Sequence, residues 1–119
     1  MSGHSHGYER LRGFALAMPE AVEEMPWGHS AIKVRKKSFL FLNDEEGSLS
    51  LSVKLPVSRD FALIFDFAEP TGYGLGRSGW ITARFDEQSD MDFELLERWI
   101  VESYKAIAPK KLGAQIQDQ

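Results

Sequence analysis

The chain has no cysteine and little histidine, with three in 119 residues. The first absence excludes disulfides, thiolate nucleophiles and thiolate metal sites. Long apolar runs are also missing, and none approaches the roughly 20 residues that span a bilayer. The opening stretch, Met1 to Gly7, lacks the basic and apolar regions of a signal peptide. A soluble cytoplasmic protein without a membrane partner is therefore expected. Net positive charge is lacking too: the formal charge is -4, which argues against coating nucleic acid through an overall positive field. Only a local patch is left to hold phosphate.

What is present is alternation. Ile32 and Val34 alternate with Lys33 and Arg35, and Leu49, Leu51 and Val53 alternate with Ser48, Ser50, Ser52 and Lys54. The run Trp80-Ile81-Thr82-Ala83-Arg84-Phe85 follows the same rule. This is the pattern of strands buried on one face and wet on the other. If the strands share one sheet, its open face carries Lys33, Arg35, Lys54 and Arg84, hydroxyls from Ser50, Ser52 and Thr82, and the Trp80 ring. Phe39-Leu40-Phe41-Leu42 does not alternate and is expected to be covered on both sides.

Around these strands the periodicity predicts helices. Leu11, Phe14, Ala15 and Met18 form a stripe over residues 8–18 that Pro19 ends. Residues 20–28 read as a connection, with Trp27 as a core plug. Turns are expected near Lys36-Lys37 and over 43–47. Residues 58–65 read as a short helix capped by Ser58 with Phe61, Ile64 and Phe65 buried. A last helix over 90–108 starts with a capping pattern from Ser89 to Asp92 and ends at Pro109, its inner stripe being Phe93, Leu96, Ile100 and Ile107. The expected fold is α+β: an antiparallel sheet, made of a three-strand meander plus a fourth strand, with helices packed mainly on one face. It occupies residues 8–109 as a single domain, between a flexible tail at 1–7 and a polar tail at 110–119.

Trp27-Gly28-His29 before a basic strand, Leu51 to Lys54 closing the third strand, then Tyr73, and Arg77 three residues before Trp80-Ile81-Thr82, resemble the MmcQ/YjbR family. The resemblance spans residues 8–108. It implies a small α+β fold for which DNA binding has been proposed by analogy with the double-wing fold of a phage transcription activator. Relatives often carry Asn-Lys and a histidine or glycine before the tryptophan; here Gly76-Arg77-Ser78-Gly79-Trp80 keeps one cation, Arg77.

Lys33, Arg35, Lys36 and Lys37 form the densest cationic cluster, placed to grip phosphates from a hairpin. Lys54 and Arg84 flank Trp80, a set able to stack a base and hold its backbone. The glycine-rich run 72–79 precedes a strand and matches neither a P-loop nor a dinucleotide fingerprint, although its amides beside Arg77 suit an anion nest. Catalysis finds little support. His29 has no serine elbow near it, and the carboxylates cluster in turns, where nothing shifts their pKa. Once Met1 is removed, Ser2-Gly3-His4 matches a square-planar copper(II) or nickel(II) ligand set, but it is not taken as a site. The expectation is a non-enzymatic DNA-binding module without cofactor, using Lys33, Arg35, Lys36, Lys37, Lys54, Arg77, Trp80 and Arg84. The alternative is a module for an acidic protein or a small ligand.

Overall fold

The computed structural model describes residues 6–25, 30–45, 48–72, 78–86 and 91–116. Trp27, Gly28, His29, Tyr73, Gly76, Arg77, Ser89 and the Ser2-Gly3-His4 stretch lie outside them. Tyr8, Leu11 and Ala15 recur at helical spacing and are buried on helix α1, His6–Leu16. The helix thus begins inside the expected tail and ends two residues before its expected stop at Met18.

Six strands follow: β1 (Val22–Glu24), β2 (Ser30–Val34), β3 (Lys37–Glu45), β4 (Ser48–Lys54), β5 (Ala68–Pro70) and β6 (Trp80–Phe85). They form one sheet in the order β1-β2-β3-β4-β6-β5 with every pairing antiparallel. The sheet is therefore wider than the four strands expected. β1 replaces part of the connection read at 20–28, and β5 forms the other edge. The ladder between β3 and β4 runs out to Glu45 opposite Ser48, so residues 43–45 continue a strand instead of turning.

The strand expected to be covered on both sides is bulged instead. Ile32 faces Leu40 while the next residue, Lys33, faces Ser38, so Phe39 is an extra residue on β3. Phe39 and Leu40 consequently both reach the core, and Phe41 turns outward, 37% exposed. Ser103 clamps the bulge: its hydroxyl donates to the Phe39 carbonyl at 2.5 Å and accepts from the Lys54 amide at 2.8 Å.

Ser103 sits on helix α3, Phe93–Ile107, which is capped by Asp92 through the Leu95 amide. The cap thus falls at Asp92, three residues beyond the expected Ser89. Leu96, Trp99, Ile100 and Tyr104 face the sheet, with the Phe39 and Tyr104 rings edge to face at 5.1 Å. Helix α1 packs beside α3 on the same sheet face. The apolar parity of the strands, Ile32, Leu40, Leu42, Leu51, Val53 and Ile81, is sealed between them. The fold is α+β with the helices on one side. Helix α4, Lys110–Gly113, extends the folded part beyond Pro109 and buries Leu112.

Helix α2 is only Arg59–Ala62, and its environment differs from the expected one. Ser58 makes no side-chain cap. Instead the Glu102 carboxylate on α3 accepts the Val57 and Ser58 amides and the Ser58 hydroxyl, at 2.8, 2.9 and 2.7 Å. Ala62 and Phe65 turn inward, Phe65 stacking on Phe67 at 4.9 Å, whereas Phe61 and Ile64 are exposed, against expectation.

Candidate nucleic-acid interface

Cross-strand register assigns the open face directly. Lys54 lies opposite Trp80, Ser52 opposite Thr82 and Ser50 opposite Arg84 on β6; Phe41 lies opposite both Ser52 and Ala31. Side chains alternate along each strand, so Lys33, Lys54, Trp80 and Arg84 share the face that no described helix covers. Along the strands they do not converge equally. Lys33, Lys54 and Trp80 lie toward the end bearing the β2–β3 hairpin tip. Arg84 is four residues along β6 from Trp80, about 13 Å at strand rise.

The tip is a two-residue loop, Arg35-Lys36, between paired Val34 and Lys37. A loop that tight matches the sheet twist when both residues take positive φ, a role usually given to Asn-Gly. Here two cations occupy it, at φ 51° for Arg35 and 72° for Lys36. Each carries a left-handed penalty of about 1 kcal/mol.

Arg35 is held against this strain by a forked ion pair: Nε donates to Glu20 Oε1 at 2.6 Å and Nη2 to Oε2 at 3.0 Å. The hydrogen bonds from Arg35 keep the Glu20 carboxyl below its usual pKa, and the same contact raises that of Arg35. Glu20, itself at φ 60°, follows Pro19, whose carbonyl accepts the Tyr104 hydroxyl at 2.7 Å. Burial, reinforced by the Glu20 charge, pushes the Tyr104 phenol up. The hairpin tip is thereby fastened through Glu20 to the C-terminal half of α3.

The remaining cations divide into two groups. Lys33 Nζ pairs with Glu24 at 2.9 Å and Arg84 Nε with Glu69 at 3.0 Å. With Arg35, three of the expected phosphate contacts therefore have carboxylate partners. Lys36, Lys37 and Lys54 have none among the described residues. Trp80 departs from the expected role: it is 7% exposed and lies 5.5 Å from the Phe41 ring, so its face is not an open stacking platform. Behind it the Thr82 hydroxyl bonds to Ser52 at 2.8 Å and Thr71 at 2.9 Å, a chain in which the hydroxyls satisfy one another. Arg77 lies outside the described residues.

Sequence reasoning missed the acids. Glu20, Glu24 and Glu69 lie 15, 9 and 15 residues from the cations they meet, and two sit on strands too short to recognise by alternation. A second acid on β1, Glu23, explains why that edge stays attached: it receives Arg12 Nε and Nη2 at 2.8 and 2.7 Å and the Ser30 hydroxyl at 2.6 Å. The Tyr8 hydroxyl completes the group against Ser30.

No curated protein matches the chain in sequence comparison. The YjbR family model matches residues 16–106, which runs from the end of α1 through the sheet to the last turn of α3. That span is well over half of the sequence and includes every strand, and the chain belongs to the YjbR family.

Proposed function

We propose that the protein is a non-enzymatic, cytoplasmic nucleic-acid-binding module whose contact is confined to the hairpin end of the sheet. The observation that supports this reading is the trio Lys36, Lys37 and Lys54, without a carboxylate partner among the described residues, beside the fastened Arg35 at the hairpin end of the sheet. Point cations on a stiff tip suit phosphate oxygens and carry no base information. Lys33 and Arg84 play a smaller part, since a phosphate must displace Glu24 or Glu69. Exposed ion pairs are worth only about 0–1 kcal/mol, so exchange is feasible, yet the displaced carboxylates remain nearby and repel the strand.

The binding expected is weak, with a dissociation constant on the order of 10⁻⁴–10⁻⁶ M. Anisotropy titration of a fluorescein-labelled DNA duplex at low salt tests it. Replacing Lys36, Lys37 and Lys54 together by glutamine should weaken binding by about tenfold or more. A wild-type protein with no affinity near micromolar at low salt overturns the reading. The Phe41–Trp80 contact supports a second one, in which the sheet face docks an acidic protein or a small ligand: an apolar centre flanked by the paired Lys33 and Arg84 resembles a protein interface more than a phosphate track. Under that reading Phe41→Ser abolishes docking, whereas it leaves DNA affinity near that of the wild type.

A further inference from the structure

Two acids stand side by side on β1, and the fold uses them differently. Glu23 points toward the helices, where it takes Arg12 and the Ser30 hydroxyl and ties the edge strand down. Glu24, on the opposite parity, is 59% exposed, and its ion-pair partner among the described residues is Lys33, with Nζ 2.9 Å from Oε1. Register explains the reach. Glu24 lies opposite Ala31 on β2, so Lys33 is its diagonal neighbour on the open face, a separation that two long side chains bridge.

Lys33 faces Ser38, next to the Val34–Lys37 pair that closes the hairpin tip, and Lys54 is two strands away, about 10 Å at strand spacing. A phosphate backbone lying across Lys36, Lys37 and Lys54 therefore comes within reach of Lys33. The other two paired cations are placed differently. Arg35 needs Glu20, which holds it at positive φ, and Arg84 is about 13 Å along β6 from the level of Lys54 and Trp80. Of the three, Lys33 is the one that is both close to the contact and bound to an acid with no part in fastening the tip. An exposed ion pair of this kind is weak, so a second anion can take the place of the first.

We propose that Glu24 is a built-in competitor for phosphate: its carboxylate holds Lys33 Nζ where a phosphate oxygen would sit, and so keeps the contact one phosphate short. This inference rests on the nucleic-acid reading above and adds the residue that limits it. Anisotropy titration of the fluorescein-labelled duplex across a salt series is the assay, with Glu24→Gln, Glu24→Gln together with Lys33→Gln, and Glu94→Gln as the variants. Because Glu23 ties β1 down, Glu24→Gln keeps the strand in place. Glu94 is an exposed acid in the first turn of α3, on the other side of the sheet, so its loss makes the same change in net charge away from the contact.

Glu24→Gln should bind at least about threefold more tightly than the wild type at low salt, and its affinity should fall with salt more steeply, by about one in the logarithmic slope. Adding Lys33→Gln should return the slope to the wild-type value, since no freed cation is left. Glu94→Gln should leave slope and affinity unchanged. A wild-type slope in Glu24→Gln overturns the proposal, as does a steeper slope that survives the loss of Lys33. An equal gain in Glu94→Gln also overturns it, because the effect is then one of net charge. A wild type that binds the duplex and a Glu24→Gln variant that binds it no better sink this inference alone, whereas a duplex bound by neither sinks the proposed function with it.

Discussion

The two faces of the sheet solve opposite problems with the same strands. Toward α1 and α3, the inward parity of β2, β3, β4 and β6 is mostly apolar, with Phe39 and Phe85 among the aliphatic residues and Ser30 the buried hydroxyl, and it is excluded from water. Toward solvent, the outward parity is a mixture of hydroxyls, two aromatic rings and cations that mostly answer to acids on the edge strands. The second face is not all wet, since Ala31, Trp80 and Thr82 on it are buried as well. The contrast also shows how an acidic protein holds cationic strands: Glu24 on β1 and Glu69 on β5 neutralise the flanks, leaving the hairpin end positive.

Adjacent positions on β4 give the largest test of that contrast. Leu51→Ala, on the sealed face, should cost about 3–4 kcal/mol in denaturant unfolding, while Ser50→Ala next to it should change stability by less than about 0.5 kcal/mol. Similar losses at both sites would mean that the open face is also a core. Ser103→Ala should cost about 1–3 kcal/mol, because it orphans the Phe39 carbonyl and removes the acceptor of the Lys54 amide. Glu102→Ala, which strips the α2 segment of its acceptor, should cost about 1 kcal/mol.

Lys36→Gly sharpens the comparison by separating stability from function. Relief of the left-handed φ outweighs the added freedom of the unfolded chain, so the variant should gain about 0.5 kcal/mol. It should at the same time bind DNA more weakly than the parent. The smallest effect expected is on acidity. Glu20 has a folded pKa below its unfolded one, so its pairing with Arg35 supports the fold above the ordinary carboxylate pKa and is lost as pH falls through the lowered value. Urea midpoints from neutral pH into that acidic window should fall less steeply in Glu20→Gln than in the wild type, a difference that high salt should erase.

The sequence disclosed the fold wherever a pattern was long enough to carry a period. Strand β4 has seven residues in strict alternation, β6 has six, and α3 repeats its apolar stripe over four turns. β1 and β5, at three residues each, are too short to show any period and exist because of their partners: Glu23 takes Arg12 and Ser30, and Thr71 reaches Thr82. The Phe39 bulge looked like a two-sided strand because an inserted residue breaks alternation just as double burial does. Phe61 and Ile64 misled for the opposite reason: their spacing is correct for a helix, and spacing does not say which way the stripe faces. The candidate site was half legible. Register placed Lys33, Lys54, Trp80 and Arg84 on one face as their parity implied, but the acids that pair with them come from segments distant in sequence, where linear reading has no purchase.

If the hairpin-end cations that lack carboxylate partners among the described residues neutralise phosphates, as proposed, the salt dependence of DNA affinity measures their number most directly. Three neutralised phosphates predict a slope of about -3 for the logarithm of the association constant against that of salt concentration. The Lys36, Lys37 and Lys54 glutamine variant should bring that slope close to zero. A wild-type slope near zero, or one the variant leaves unchanged, contradicts the account.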